Sequence, residues 1–428
     1  MLTTLDLVNA LAIAALAAAG LALLLVKEGA RTEAPGGVDR LRLRLARWAV
    51  LLRLDWKTIT IAAGVVYALA LGSAFASGIS PCPSGQGPSD LATYLASGRA
   101  FLTGGNPFTV MTCGALIPVP YGIAAVLVNA VGSLGGEVGI AAVWGGVALA
   151  VLPLTWWVAG PDRRYVTLVV ATSVLFLPLA TGQIDGASNL LLPVAVLATL
   201  ALARRGAPMA AAVGGFLSTG RFPGLFPILG ASGSTRKPFR SALAAVATFG
   251  GVTVATYAVY GSAFARPVFL DQVARRSFSL NAYGVLLHQG WLPSSPTVAA
   301  LQAAGTLALI AVVAWRARTP LGAATITLTG LALLSQFLSF NILGWLLPVA
   351  IVGTRPRWWL WAIGIVGTVD YDLGYLYWGS ALGVWWPYEV MDVVLTVLLL
   401  QLFVELWRTE RSAGAAASDL AASSATTA

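Results

Sequence analysis

Apolar runs of about 20 residues, parted by short polar segments, recur from one end of this chain to the other. The first runs from Leu7 to Val26 and the second from Thr58 to Ser77. Others follow near 116–133, 138–158, 166–181, 187–203, 208–230, 241–260, 297–315, 321–336, 338–354, 358–376 and 387–407. A helix needs about 20 such residues to cross a bilayer, whereas barrel strands are shorter and alternate in polarity. The pattern therefore predicts an all-α integral membrane protein with about 13 transmembrane helices, in one polytopic domain over residues 1–410. The Ala/Ser/Thr-rich remainder, 411–428, reads as a disordered cytoplasmic tail.

Composition agrees. Of the 428 residues 58% are hydrophobic and 10% charged, against about 25% charged in soluble domains. The net charge of +9 sits mostly at the ends of apolar runs. It is better explained by orientation and by anionic membrane lipids than by nucleic acid. The strongest cationic stretch holds Lys27, Arg31, Arg40, Arg42, Arg44, Arg47, Arg53 and Lys57, which places it in the cytoplasm. Within it Leu41, Leu45, Trp48 and Leu52 fall on one helical face, as in a helix lying in the inner interface; a solvated loop is the alternative.

Counting onward puts 78–115 and 261–296 outside, and Arg236-Lys237, Arg316/Arg318, Arg355/Arg357 and Arg408/Arg411 inside. Two loops break the pattern. Asp162-Arg163-Arg164 and Arg204-Arg205 count to the outer face, so either one short span is re-entrant or these arginines bind an anion.

The first outer segment carries the most pointed chemistry. Ser89 can cap a helix with Asp90 in its first turn, a favourable place for an anion. Asp90, Tyr94, Ser97 and Phe101 share one face, expected to look into a cavity, and Leu91, Leu95 and Leu102 share the other. Gly104-Gly105 ends the helix and Asn106-Pro107 enforces an extended exit. Read by physics alone, Asp90 either serves chemistry or merely caps its helix. Cys82 and Cys113 bracket the segment on the oxidising side, where a disulfide is expected and two thiols are the alternative.

An Asp, a Tyr four residues on and a Gly-Asn-Pro-aromatic turn before a proline-rich re-entry resemble the first outer loop of GT-C glycosyltransferases. The likeness is to the polyprenyl-phosphate-mannose-dependent family that includes phosphatidylinositol-mannoside mannosyltransferases. Where that family has tyrosine-proline-proline, this chain reads Pro118-Val119-Pro120-Tyr121. Thr181-Gly182-Gln183-Ile184-Asp185 resembles its Gly-Gln element, with Asp185 where asparagine is usual. Ser218-Thr219-Gly220-Arg221-Phe222-Pro223 resembles its Lys-x-x-Pro segment, with Arg221 for the lysine. Ser277-Phe278-Ser279-Leu280-Asn281 resembles a further outer loop, whereas the late histidine segment has no histidine here (Ser335 to Asn341).

The resemblance implies an inverting transfer of a sugar, mannose in the family, from a polyprenyl-phosphate donor to a lipid or glycan acceptor. The reaction would take place on the outer face of the cytoplasmic membrane, with no cofactor and no metal. It makes Asp90 the base. Arg221, with Arg163 and Arg164 as further candidates, would meet the donor phosphate, since an arginine within an apolar run faces a cavity or partner unless it snorkels to the interface. Tyr94, Asn106, Gln183, Asp185, Asn281 and His288 are the sugar or acceptor candidates. Gln183 and Asp185 could equally form a plain polar loop, and His288 an interfacial hydrogen bond. Transporters or lipid flippases are the rival class, usually marked by repeated halves with broken helices; a non-catalytic GT-C-like subunit is the third reading.

Overall fold

The computed structural model describes residues 90–160, 187–203, 206–271, 296–334, 340–353 and 386–426, with isolated positions between 286 and 369. The expected spans Leu7–Val26, Thr58–Ser77 and 166–181 lie outside them, as does most of 358–376. The described chain is mostly helical. Among the described residues three helices are long and apolar enough to cross a membrane: Gly136–Val158, Pro238–Tyr260 and Glu389–Glu410.

The first described helix, α1 (Asp90–Leu102), stops as its glycines require. Gly104 takes φ +76°, and the Gly105 N–H reaches back to the Ala100 carbonyl at 2.7 Å while Gly104 N–H reaches Phe101. That is a Schellman ending, which needs a residue without a side-chain penalty at positive φ. Asn106 Oδ1 then accepts the Phe108 N–H at 3.0 Å, closing a turn. A short antiparallel hairpin follows, β1 (Thr109–Thr112) with β2 (Ala115–Pro118), Thr112 facing Ala115. Its two turn residues, Cys113 (φ 51°) and Gly114 (φ 74°), both lie at positive φ, as a type I′ hairpin turn demands.

Two expected spans are corrected here. The run 116–133 does not form one helix: its first residues are β2, and α2 begins only at Ile123 and ends at Ser133. Pro118 and Pro120 lack the N–H a helix needs and push the residues before them into extended backbone. At 11 residues, α2 is roughly 16 Å long, about half of a bilayer core. It folds against α3 (Gly136–Val158) through glycines, an added Cβ at Gly139 falling 2.2 Å from the Gly132 carbonyl oxygen.

The run 208–230 is likewise two helices, α5 (Ala207–Ser218) and α6 (Leu225–Gly233), parted at Thr219-Gly220-Arg221 and a 3-10 turn over Phe222–Gly224. Before it stands α4 (Leu191–Leu202), preceded by a 3-10 turn over Ala187–Leu190. Beyond lie α7 (Pro238–Tyr260), a π-turn over Arg266–Leu270, α8 (Pro296–Arg316), α9 (Pro320–Leu334), α10 (Phe340–Gly353) and α11 (Trp386–Thr426). The tail expected to be disordered after Glu410 is helical through Thr426, its alanines favouring the helix that α11 has already nucleated.

The main core gathers Leu192, Leu197, Ile228, Ile326, Leu346 and Leu399 from α4, α6, α9, α10 and α11. Thr325, Thr327 and Thr329 are fully buried in it, and each returns its hydroxyl to the carbonyl four residues back. That local bond satisfies the hydroxyl without a partner helix. At one end of the bundle Glu410 accepts the N–H groups of Arg318 and Thr319 (2.8 and 3.1 Å) and the Thr319 hydroxyl (2.6 Å), capping α9. Ser234 donates to the Ala317 carbonyl beside it. Arg236, Lys237, Arg316 and Arg318 thus flank the ends of helices joined there.

At the opposite end, the unit formed by α1, the hairpin and α2 meets the α5–α6 break. The Gly122 N–H donates to the Gly220 carbonyl at 3.2 Å, and a Cβ on Gly122 would fall 1.6 Å from the Thr219 carbonyl oxygen. Gly122→Ala should therefore cost about 3 kcal/mol, the upper end for overpacking. Gly146→Ala, in α3 with nothing within 4 Å, should be neutral or stabilising by about 0.5–1 kcal/mol. Thermal unfolding of the two purified variants in detergent checks the contrast.

Candidate functional site

Asp90 opens α1 half-buried, and two phenols turn toward it. Tyr94, one helical turn on, donates to Asp90 Oδ2 at 3.3 Å, and Tyr121 donates to the same oxygen at 3.3 Å. The two tyrosine rings meet edge to face with centroids 5.4 Å apart, and Tyr94 also lies 5.4 Å from Trp144 of α3. Trp144 Nε1 donates in turn to Asn129 of α2. The face of α1 expected to look into a cavity is instead packed: Tyr94 and Ser97 are fully buried, and Leu91 and Leu95 on the other face are buried too. The cause is that α2 and α3 fold back over α1, Gly98 allowing the Asn129 backbone to approach within what a Cβ would occupy. On the leucine face only Leu102 is exposed.

Arg221 stands at the α5–α6 break in extended backbone, with φ −144°. Its guanidinium carbon lies 4.9 Å from the centroid of the Tyr121 ring and 5.8 Å from that of Trp345 in α10. Its Nη2 donates to Oδ1 of Asn189, a buried residue in the turn before α4. Two aromatic faces and one amide hold the cation where an apolar run would otherwise exclude it. The Arg221 Nε and Trp345 Nε1 groups are buried and have no hydrogen-bond partner among the described residues. Buried N–H groups left unpaired are rare and call for an explanation. Both are donors, both belong to side chains that touch, and an anionic acceptor is what such a pair can bind.

Just past the break lies a phenylalanine cluster. Phe222 meets Phe226, Phe249 and Phe269 at 5.0–5.8 Å between centroids, and Phe264 links Phe269 to Phe108 in the turn after α1. Phe222 is partly exposed. An apolar surface thus begins beside the guanidinium.

Of the residues singled out from sequence, Asp90, Tyr94 and Arg221 come together through Tyr121. Asn106 does not join them through its side chain, which closes the turn after α1. Tyr94, having no exposed surface, contacts Asp90 rather than solvent. Cys113 is disulfide-bonded; Cys82, the only other cysteine of the chain, lies outside the described residues, as do Arg163, Arg164, Gln183, Asp185, Asn281 and His288. Among the described residues no three histidine, cysteine or carboxylate side chains converge as a metal site would need. Sequence reasoning passed over Asn189, Trp144 and Trp345, and took Tyr121 only as part of a proline motif. Nothing local marks the first three, because each acquires its role from a partner far away in the chain.

No protein-family model, no curated protein and no solved structure matches this chain.

Proposed function

We propose that the chain is an inverting membrane glycosyltransferase, moving a sugar from a polyprenyl-phosphate donor to a hydroxyl of a lipid or glycan acceptor at the outer membrane face. The observation that carries the reading is that Asp90 and Arg221, the base and phosphate candidates, both touch Tyr121. A displacement of this kind needs both groups at one site. The acceptor oxygen attacks the anomeric carbon from the side opposite the phosphate, and Asp90 takes its proton. The carbon–oxygen bond to phosphate breaks and its electron pair leaves with the phosphate, whose charge Arg221 and the Trp345 N–H stabilise. The partly exposed Phe222 would lead the prenyl chain away from the phosphate.

The same reading revises the membrane topology. With α1, the hairpin and α2 kept together outside, α3 crosses inward, since Val158 lies 14 residues, about 21 Å, beyond the Trp144 that packs on Tyr94. With α5 and α6, each too short to cross a bilayer alone, counted as a re-entrant pair that returns to the side it left, the later parity is unchanged. Asp162-Arg163-Arg164 and Arg204-Arg205 then fall inside with the other cationic loops, as the positive-inside rule asks. Cysteines placed at 164 and 205 should react with a membrane-impermeant maleimide only from the cytoplasmic side, whereas labelling in intact cells would contradict this topology.

A second reading, a transporter or flippase for such a lipid, draws on the α5–α6 break, since transporters bind ligands at interrupted helices. One experiment separates the two. Asp90→Asn keeps an acceptor for both tyrosine hydroxyls but removes the proton acceptor. Transfer from radiolabelled polyprenyl-phosphate-mannose to a membrane lipid extract should fall by ~10²–10⁴, with thermal stability retained. Arg221→Gln should raise the donor KM roughly 10–100-fold, as losing charge-assisted hydrogen bonds does. Transfer by purified Asp90→Asn at the normal rate would remove Asp90 as base. Lipid translocation by a protein that transfers no sugar would favour the transporter.

A further inference from the structure

We propose that Tyr121 is a positioning residue that fixes the carboxylate of Asp90 and the guanidinium of Arg221 relative to one another. The inference deepens the glycosyl-transfer reading and rests on it. A tyrosine has two distinct functional surfaces, a ring face and a hydroxyl at the ring's edge. Here each is used. The face carries the Arg221 guanidinium at 4.9 Å and the hydroxyl donates to Asp90 Oδ2 at 3.3 Å.

The backbone at Tyr121 leaves this side chain little freedom. Its next residue, Gly122, is bonded to Gly220 and in backbone contact with Thr219, immediately before Arg221. On the other side, Val119 N–H bonds to the Phe108 carbonyl at 2.9 Å, tying the segment to the exit from α1. Tyr121 is 5% exposed and is braced by the Tyr94 ring. The segment is therefore clamped to the piece of chain that bears the cation and to the element that bears the acid.

Tyr94 does not share this role. It bonds Asp90 too, but its ring lies on Trp144 and Tyr121, whereas the aromatic faces against Arg221 are those of Tyr121 and Trp345. Tyr94 from its own helix and Tyr121 before α2 both donate to the Asp90 carboxylate; Arg221 lies on the Tyr121 ring and Trp144 of α3 on that of Tyr94.

The test separates ring from hydroxyl. Tyr121→Phe keeps the ring, so kcat for sugar transfer should fall roughly tenfold, the loss of one hydrogen bond to a charged group, while donor KM stays within about twofold. Tyr121→Leu removes both surfaces and should raise donor KM roughly 3–30-fold as well. Tyr94→Phe should lower kcat with donor KM unchanged. A Tyr121→Phe protein that raises donor KM as much as Tyr121→Leu, with kcat intact, would overturn the proposal and leave Tyr121 as packing.

Two readouts hold whether or not sugar is transferred. Undecaprenyl phosphate alone, titrated by calorimetry into the detergent-purified proteins, should bind wild type and Tyr121→Phe alike and Tyr121→Leu more weakly. The fall in melting temperature caused by Tyr121→Phe should disappear in an Asp90→Ala background. If wild type transfers no sugar yet these two results hold, the transferase reading fails and the positioning role stands. Equal binding by all three proteins, or an undiminished melting shift without Asp90, removes the positioning role by itself.

Discussion

The crossing of Tyr121-Gly122 with Thr219-Gly220 fixes the position of everything at this end of the molecule. Two backbones meet there with a hydrogen bond between them and no room for a β-carbon on Gly122. Gly220 is equally constrained, an added Cβ falling 2.8 Å from Leu191 and 3.0 Å from the Ala125 nitrogen. The two glycines therefore dock three things at once: the α1–hairpin unit through α2, the start of α4, and the break between α5 and α6. Arg221 follows Gly220 directly, so its place beside Tyr121 is set by backbone rather than by the reach of a long side chain. Interiors this closely packed move in discrete steps. The spacing between acid and cation is accordingly a property of the fold.

The break itself turns a hydrophobic run into a site. An unbroken helix over 208–230 would have buried its amides in its own hydrogen bonds and presented Arg221 wherever the helical period dictated. Proline at 223 and glycines at 220 and 224 interrupt the run instead, and Phe222 among them packs on Phe226 and Phe249 rather than along a continuous helix. A cation held between two aromatic rings, with an unpaired N–H on it and another on one of those rings, is then left beside an apolar surface. That pairing of donors with apolar surface is what a lipid phosphate presents in complementary form.

Much of this was legible in the chain, and what was not has physical causes. The ending of α1 was readable because Gly104-Gly105 and Asn106-Pro107 act through local backbone rules. Long apolar helices such as α3 and α7 were readable because their period runs uninterrupted over more than a bilayer's thickness. Hydropathy could not separate α2 from β2, since Ala115, Leu116 and Ile117 are as apolar as the helix that follows; the prolines carried the information. It could not see the break at Gly220 for the same reason. Asp90 and Arg221 were identifiable singly, as charges where charge is costly. Their common partner Tyr121, and the roles of Asn189 and Trp345, exist only in the tertiary structure. The burial of Tyr94 was misjudged because an amphipathic reading of α1 assumes one neighbouring surface, whereas α2 and α3 supply a second.

The proposed transfer depends on where a polyprenyl phosphate binds. A cryo-electron microscopy structure of the full chain with bound polyprenyl phosphate measures this directly. The phosphate should lie within hydrogen-bonding distance of Arg221 Nε and Trp345 Nε1, with the prenyl chain leaving past Phe222 and Asp90 on the far side of Tyr121. Phosphate density at the Glu410 end of the bundle, with Arg221 still closed between its two rings, would contradict this placement.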